Sequence, residues 1–239
     1  MANKKILPGL TTRTPGKWKN KVREIDELGL KEIALFPTSL NAEERRELYD
    51  LLEKTGLKKI PHVHLRDDMK LEELDYLTNK YGTEVFNVHS ENDFYKSTRD
   101  YKNYFEKIYV ENTVSNTPTE NDLKRYAGLC FDLSHWQALV LSEGENGSEN
   151  IKLKKFGQEH KIGCNHIAAV KPEKIHYYDK SSKQDFYSYD SHDLADLSEL
   201  DYVKKYKDYL ADIISIELEN PLKRQLEVKK YLEKILDLS

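Results

Sequence analysis

Eight histidines punctuate the chain: His62, His64, His89, His135, His160, His166, His176 and His192. Five of them (62, 64, 89, 135 and 166) fall in, or just beyond, short β-rich runs, and Glu111, Asp132 and Glu217 close other runs of the same kind. If those runs are parallel strands of one barrel, their C-terminal ends converge on a single rim, where such barrels build active sites. Imidazoles and carboxylates then face one another around one mouth. Burying so many ionisable groups together without compensation is costly, and a divalent cation is the simplest compensator. Neutral imidazole nitrogen with carboxylate oxygen suits zinc, manganese or iron better than calcium or magnesium. A lone histidine at a strand end is more often a packed core residue. Successive strand ends offering His64, His89, Glu111, Asp132, His166 and then Glu217 reverse that expectation.

The elements that must position these groups are legible as alternating patterns. The β-rich runs cover 5–10, 32–36, 60–65, 84–89, 107–111, 129–132, 163–170 and 213–217. Helical patterns separate most of them, which implies βα units and a parallel sheet. Eight units in 239 residues leave about 30 residues each, compact for a (β/α)8 barrel. The expected fold is therefore α/β, one barrel with a parallel eight-stranded core, spanning residues 1–239 as a single domain. An open doubly wound sheet competes, but its Gly-x-Gly-x-x-Gly phosphate turn is absent. Trp18, Val22, Ile25 and Leu28 have helical spacing, as do Leu48, Leu51 and Leu52 after an Asn41/Glu44 start signal, with Gly56 as the stop. Thr117-Pro-Thr-Glu120 reads as a capping box, and Asn220-Pro221 opens a last helix with Leu222, Leu226, Leu232 and Leu236 inward. Two stretches read as loops: 142–148, and the long 171–196, whose length suggests a lid or binding loop.

Composition narrows the function classes. The formal net charge is −4, which argues against a protein that coats nucleic acid, although a local basic mouth stays compatible with it. No apolar run approaches the ~18 residues needed to span a bilayer, and the start has no signal-peptide core, so no membrane partner is expected. Two cysteines, Cys130 and Cys164, make no disulfide framework, and the cytoplasm is the default compartment. A monomer is expected.

Several motifs carry a family resemblance. Tyr109-Val-Glu-Asn-Thr113 resembles the strand-five signature of the endonuclease IV family, which has Glu-Asn-Thr there. Gly128-Leu-Cys-Phe-Asp-Leu-Ser-His135 is similar to that family's Gly-x-Cys-x-Asp-x-x-His, and Ile216-Glu-Leu-Glu-Asn-Pro221 resembles its Glu-x-x-Asn-Pro ending. His166 stands at the strand-seven position, Asp190-Ser-His192 resembles the Asp-Arg-His that follows it, and His64 and His89 close strands three and four. The wider group is the xylose isomerase-like metal-dependent TIM barrels. The likeness implies up to three ions, zinc first and manganese second. One would sit on His64, His89 and Glu111; another on Glu111, Asp132, His166 and Glu217; the third on His135, Asp190 and His192. It implies a phosphoester hydrolase acting on a phosphate-bearing substrate, abasic DNA or a smaller phosphodiester, with Glu111 and Glu217 as catalytic carboxylates. The alternative within the same barrels is a sugar or sugar-phosphate isomerase or epimerase, using one metal and those two glutamates as an acid–base pair. A barrel that binds metal or a partner without chemistry is the third reading.

Around this core some choices stay open. His62 and His64 share a strand face; His64, nearer the end, is favoured as ligand. Glu217 is favoured over Glu219 by the Asn220-Pro221 register. Cys130 and Cys164 read as small buried hydrophobes, and His160 and His176 as solvent-facing. Arg66, with Asp67 and Asp68, is a candidate rim residue for substrate, or an exposed charge cluster. Lys171 is a second candidate, in a loop made basic by Lys174, Lys180 and Lys183. The tyrosines of that loop would stack on a sugar or base, or hold the loop down.

Overall fold

The computed structural model describes residues 4–90, 98–179 and 184–238. Nine parallel strands form one sheet in the order β1-β11-β8-β7-β6-β5-β4-β3-β2. They are β1 (Lys5–Leu7), β2 (Gly9–Thr11), β3 (Glu32–Phe36), β4 (Lys59–His64), β5 (Val85–His89), β6 (Ile108–Glu111), β7 (Gly128–Asp132), β8 (Ile162–Ile167) and β11 (Ile213–Ile216). β1 and β2 are two halves of one stave, broken at Pro8, so the eight expected staves appear as nine strands. β1 pairs with β11 and β2 with β3, and the ring closes through this break.

Closure is stitched by a side chain rather than by the ladder alone. The Gly9 amide donates to Gln225 Oε1 at 2.7 Å, while Gln225 Nε2 donates to the carbonyls of Gly9, Leu218 and Asn220 at 2.9–3.0 Å. At Gly9 a Cβ would stand 2.0 Å from the Ile216 carbonyl oxygen, so only glycine lets the two backbones approach this closely.

Among the described residues, seven α-helices alternate with the staves: α1 (Lys17–Glu27), α2 (Ala42–Leu52), α3 (Leu71–Tyr81), α4 (Glu120–Arg125), α5 (Leu133–Glu143), α6 (Ser148–Glu159) and α7 (Leu222–Leu236). Segments of 3-10 helix at Thr98–Lys107 and Leu197–Tyr209 take helix places before β6 and β11. The Asn41/Glu44 capping box of α2 is present, whereas the Thr117 reading shifts two residues. There Thr119 caps α4 and Asp122 closes the box, because the Asp122 side chain reaches back to the Thr119 amide at 2.7 Å. On α7 the inward face is Leu222, Gln225, Val228, Leu232 and Leu236, with Leu226 only half-buried.

The 171–196 stretch is not a loop. β9 (Ala169–Asp179) and β10 (Gln184–Ser191) form an antiparallel hairpin rising from the rim, and the seventh stave ends at Ile167 instead of running on to Val170. Tyr177, Tyr178, Phe186, Tyr187 and Tyr189 are strand-forming residues, and their β-propensity outweighs the loop reading based on length. Lys180 and Lys183 lie outside the described residues.

Period-two alternation divides the core. Outward positions such as Leu35, Val63, Phe86, Val110, Phe131 and Ile214 pack under the helices, each fully buried side chain stabilising by about 1.5–3 kcal/mol. Inward positions begin apolar at the N-terminal end of the barrel, with Leu7, Ala34, Val85, Tyr109, Cys130, Cys164 and Ile213. Parallel strands buried on both faces normally read as continuous apolar runs. Here the inward series turns to His62, Asn87 and Ser215, and then to His64, Glu111, Asp132, His166 and Glu217, all buried. Among the described residues, no helix is long and apolar enough to cross a membrane.

Candidate metal centre

Each donor is placed by the element that ends beneath it. Asp132 closes β7 and caps α5: its Oδ1 accepts from the His135 amide at 2.8 Å and from Ser134 Oγ at 2.5 Å. That explains the Asp-x-x-His spacing, since the cap and the third helical residue look into the same mouth. Asn112 brackets the Asp132 main chain, donating to its carbonyl at 2.9 Å and accepting from its amide at 3.0 Å. β10 brings Asp190 back to the rim, and His192 follows it.

Among the described residues, four groups of donors have ligand atoms within 4.8 Å of one another: His64, His89 and Glu111; Glu111, Asp132, His166 and Glu217; His135, Asp190 and His192; and Glu111, Cys130 and His166. The first three are the sets the motifs imply. Glu111 joins the first two: its Oε2 lies 3.1 Å from His64 Nε2, and its Oε1 lies 3.4 Å from His166 Nδ1. His166 Nδ1 is also 3.1 Å from Glu217 Oε2, and His135 Nε2 is 3.7 Å from Asp190 Oδ2.

Backbone carbonyls select the imidazole tautomers. His64 Nδ1 donates to the Leu65 carbonyl at 2.8 Å, His135 Nδ1 to that of Asn112 at 3.1 Å, and His192 Nδ1 to that of Glu217 at 2.9 Å. In all three the Nε2 lone pair is left for the mouth, as metal-ligating histidines require. Asp132 Oδ2, both ring nitrogens of His166 and Glu217 Oε2 are buried and have no hydrogen-bond partner. Orphaned polar atoms at this depth are expensive, and the donor chemistry fits divalent cations.

Without a cation, the charges settle on one another. Burial alone would depress His166, but Glu111 and Glu217 outweigh it and hold the imidazole well above its ordinary value. His135, likewise opposed by burial, is raised to about 9 by Asp132, Asp190 and Glu111. Burial works upward on Glu111 and Glu217 too, yet the neighbouring imidazoles keep both carboxyls below the usual range. At Asp132 burial wins and the carboxyl is pushed up; at His192 it wins and the imidazole is pushed down.

His62 is fully buried one layer below the mouth, its Nδ1 2.7 Å from Ser215 Oγ and its Nε2 2.8 Å from Asn87 Oδ1. Asn87 Nδ2 donates to Glu111 Oε2. Glu219 accepts the amides of Arg13 and Thr14 at 3.2 and 3.1 Å, which leaves Glu217 to the centre. Cys130 and Cys164 are buried; Cys130 also lies against Glu111 and His166. His160 is half-buried against Phe156, and His176 is exposed and paired with Asp185 at 2.5 Å.

The two basic residues expected at the substrate are engaged elsewhere. Arg66 donates to Asp68 Oδ1 at 2.9 Å and to the Thr38 carbonyl, propping the loop after β3. Lys171 pairs with Glu199 at 2.8 Å and donates to the Asp193 carbonyl at 2.8 Å, beside a different hollow. A cavity of about 320 Å³ opens over the donors, and among the described residues that line it Arg13 is the one Lys or Arg. Sequence reasoning missed Arg13 and Asn87. Asn87 carried a signal, as a polar residue at an inward position of an otherwise apolar strand.

Neither a protein-family model nor a curated protein matches the sequence. Solved structures do. A xylose isomerase-like TIM barrel protein from Mycobacterium smegmatis, crystallised in complex with magnesium, is similar at 15% identity and TM-score 0.52, over 97% of this chain and 96% of that one. A protein from Parabacteroides distasonis aligns at 18% identity and TM-score 0.45, over 95% and 98% of the two chains. The first likeness carries the fold, a TIM barrel.

Proposed function

We propose that this xylose isomerase-like TIM barrel is a metal-dependent phosphoester hydrolase of the endonuclease IV type, acting on abasic DNA or a smaller phosphodiester. One observation carries the reading: three donor groups converge on one cavity, two of them sharing Glu111. A single-metal enzyme has no use for the His64/His89 pair or for His135, Asp190 and His192.

In this reading the three groups would hold up to three ions, with Glu111 available to two of them. The imidazole-rich donor set favours zinc, with manganese second; the mycobacterial neighbour's magnesium is that protein's own. Such ions supply Lewis acidity at phosphoryl oxygens and bring the pKa of water near neutrality. The chain does the rest. Glu111 and Glu217 would be the carboxylates that take the proton of the attacking water and pass it to the leaving oxygen. Asn87 holds Glu111 in place from below, and Arg13 offers the incoming phosphate a cation at the rim.

A second reading rests on Glu111, Asp132, His166 and Glu217 alone, a group buried throughout. These suffice for a one-metal sugar or sugar-phosphate isomerase in which the two glutamates move a proton between carbons. Metal content measured with turnover of abasic DNA, small phosphodiesters and sugar phosphates tests both readings. The double substitution of His64 and His89 by alanine is expected to lower hydrolysis more than about 100-fold. One bound metal and no phosphoester turnover with any divalent ion would sink the hydrolase; isomerase activity surviving the double substitution would establish its rival.

A further inference from the structure

The hairpin that returns Asp190 to the rim also carries an aromatic pair. Tyr177 and Phe186 are register partners across β9 and β10, with rings stacked at 5.0 Å and 17°. The two rings play different parts. The Tyr177 hydroxyl donates to the Asp190 carbonyl at 2.6 Å, tying that ring to the base of the hairpin. Phe186 has no polar atom to tie, stays 46% exposed, and lines the same cavity as His64 and Glu111. Arg13 lines that cavity too, and its guanidinium forms no ion pair among the described residues, unlike Arg66 and Lys171. A flat apolar ring and a free cationic fork thus share the rim of an acidic centre. The fork suits a phosphate in bidentate geometry, and the ring suits the face of another ring.

We propose that Arg13 and Phe186 form a subsite for a small phosphoester whose non-reacting part is a planar ring, about a mononucleotide in size. This rests on the phosphoester reading above and names its substrate class. Size follows from the cavity: about 320 Å³ is at the low end of small-molecule sites. A polynucleotide backbone would need several basic contacts, and among the described residues lining this cavity Arg13 is the one basic side chain.

The test is calorimetric binding of adenosine 5′-monophosphate and of ribose 5-phosphate to the metal-loaded protein and to its Phe186→Ala, Phe186→Tyr and Arg13→Ala variants. Thermal melts establish that each variant is folded. Wild type is expected to bind the ring-bearing ligand about tenfold more tightly than the ring-free one. F186A should bring that ratio close to one, and F186Y should restore it. R13A should weaken both ligands about tenfold while keeping the ratio. A wild-type ratio near one, or a ratio that F186A leaves intact, overturns the subsite. So does a short single-stranded oligonucleotide that binds more than tenfold tighter than the mononucleotide. Because binding is read without turnover, an absence of hydrolysis defeats the hydrolase reading while the ratio still decides the subsite.

Discussion

Glu111 belongs to two converging donor groups at once, and this works only if its two oxygens point in different directions. The polar layer beneath enforces that. Because a carboxylate only accepts, Asn87 must present Nδ2 to Glu111 and therefore Oδ1 to His62. His62 then carries its proton on Nε2 and accepts from Ser215 Oγ through Nδ1. Neither His62 nor Asn87 reaches the cavity, yet both fix which oxygen of Glu111 faces His64 and which faces His166. Asn87→Ala is expected to lower metal affinity about 10–100-fold with the fold retained, as loss of an orienting partner does elsewhere. A chelator-competition titration on a variant with native circular dichroism measures this, and an affinity within twofold of wild type would count against the role. His62 shows what spacing can and cannot tell: parity put it on the same face as His64 and its distance from the strand end put it deeper, but only the neighbouring strands show what it holds.

At the scale of elements, the seam of the barrel carries the load that a continuous first strand would otherwise bear. Gln225 saturates four backbone groups around the Pro8 break. Gln225→Ala strands them in a buried place and is expected to cost about 3 kcal/mol in urea unfolding. Gly9→Ala should be at least as damaging, because the Ile216 carbonyl cannot retreat without opening the ladder. The helices and most staves were legible because amphipathic and two-sided apolar patterns are local properties. The hairpin was not: its alternating aromatics lie between charged residues, and its length favoured a loop. The break at Pro8 was hidden for a different reason. A stave split in two looks like one run until its partners on either side are known.

Across the whole molecule, the barrel is polarised, apolar inside at one end and crowded with carboxylates and imidazoles at the other. The motifs revealed which residues crowd there, because their order along the chain follows the order of the staves. Arg13 belongs to no motif, and its significance comes from its place on the cavity rim with no ion pair among the described residues. The crowding has a consequence for stability. His135 sits at about 9 in the metal-free fold against an ordinary value of 6.5. Between those values the folded chain binds more protons than the unfolded chain, so this contribution is complete below about 6.5 and is lost as pH rises through about 9. Metal needs the neutral imidazole, so metal affinity should climb over the same interval. Urea unfolding of the metal-free protein and of His135→Gln, followed across that interval, should show the difference between them shrinking as pH rises. A difference that stays constant or grows would contradict the assignment.

The Gly9–Gln225 stitch also orders events during synthesis. Its two partners are 216 positions apart, so a nascent chain can pair β1 with β11 before α7 appears but cannot make the stitch until α7 has left the ribosome. Until then the backbone groups of Gly9 and Leu218 at the seam lack their side-chain partner, and incompletely tied strands invite mispairing. Helix α7 is therefore the latch of the fold.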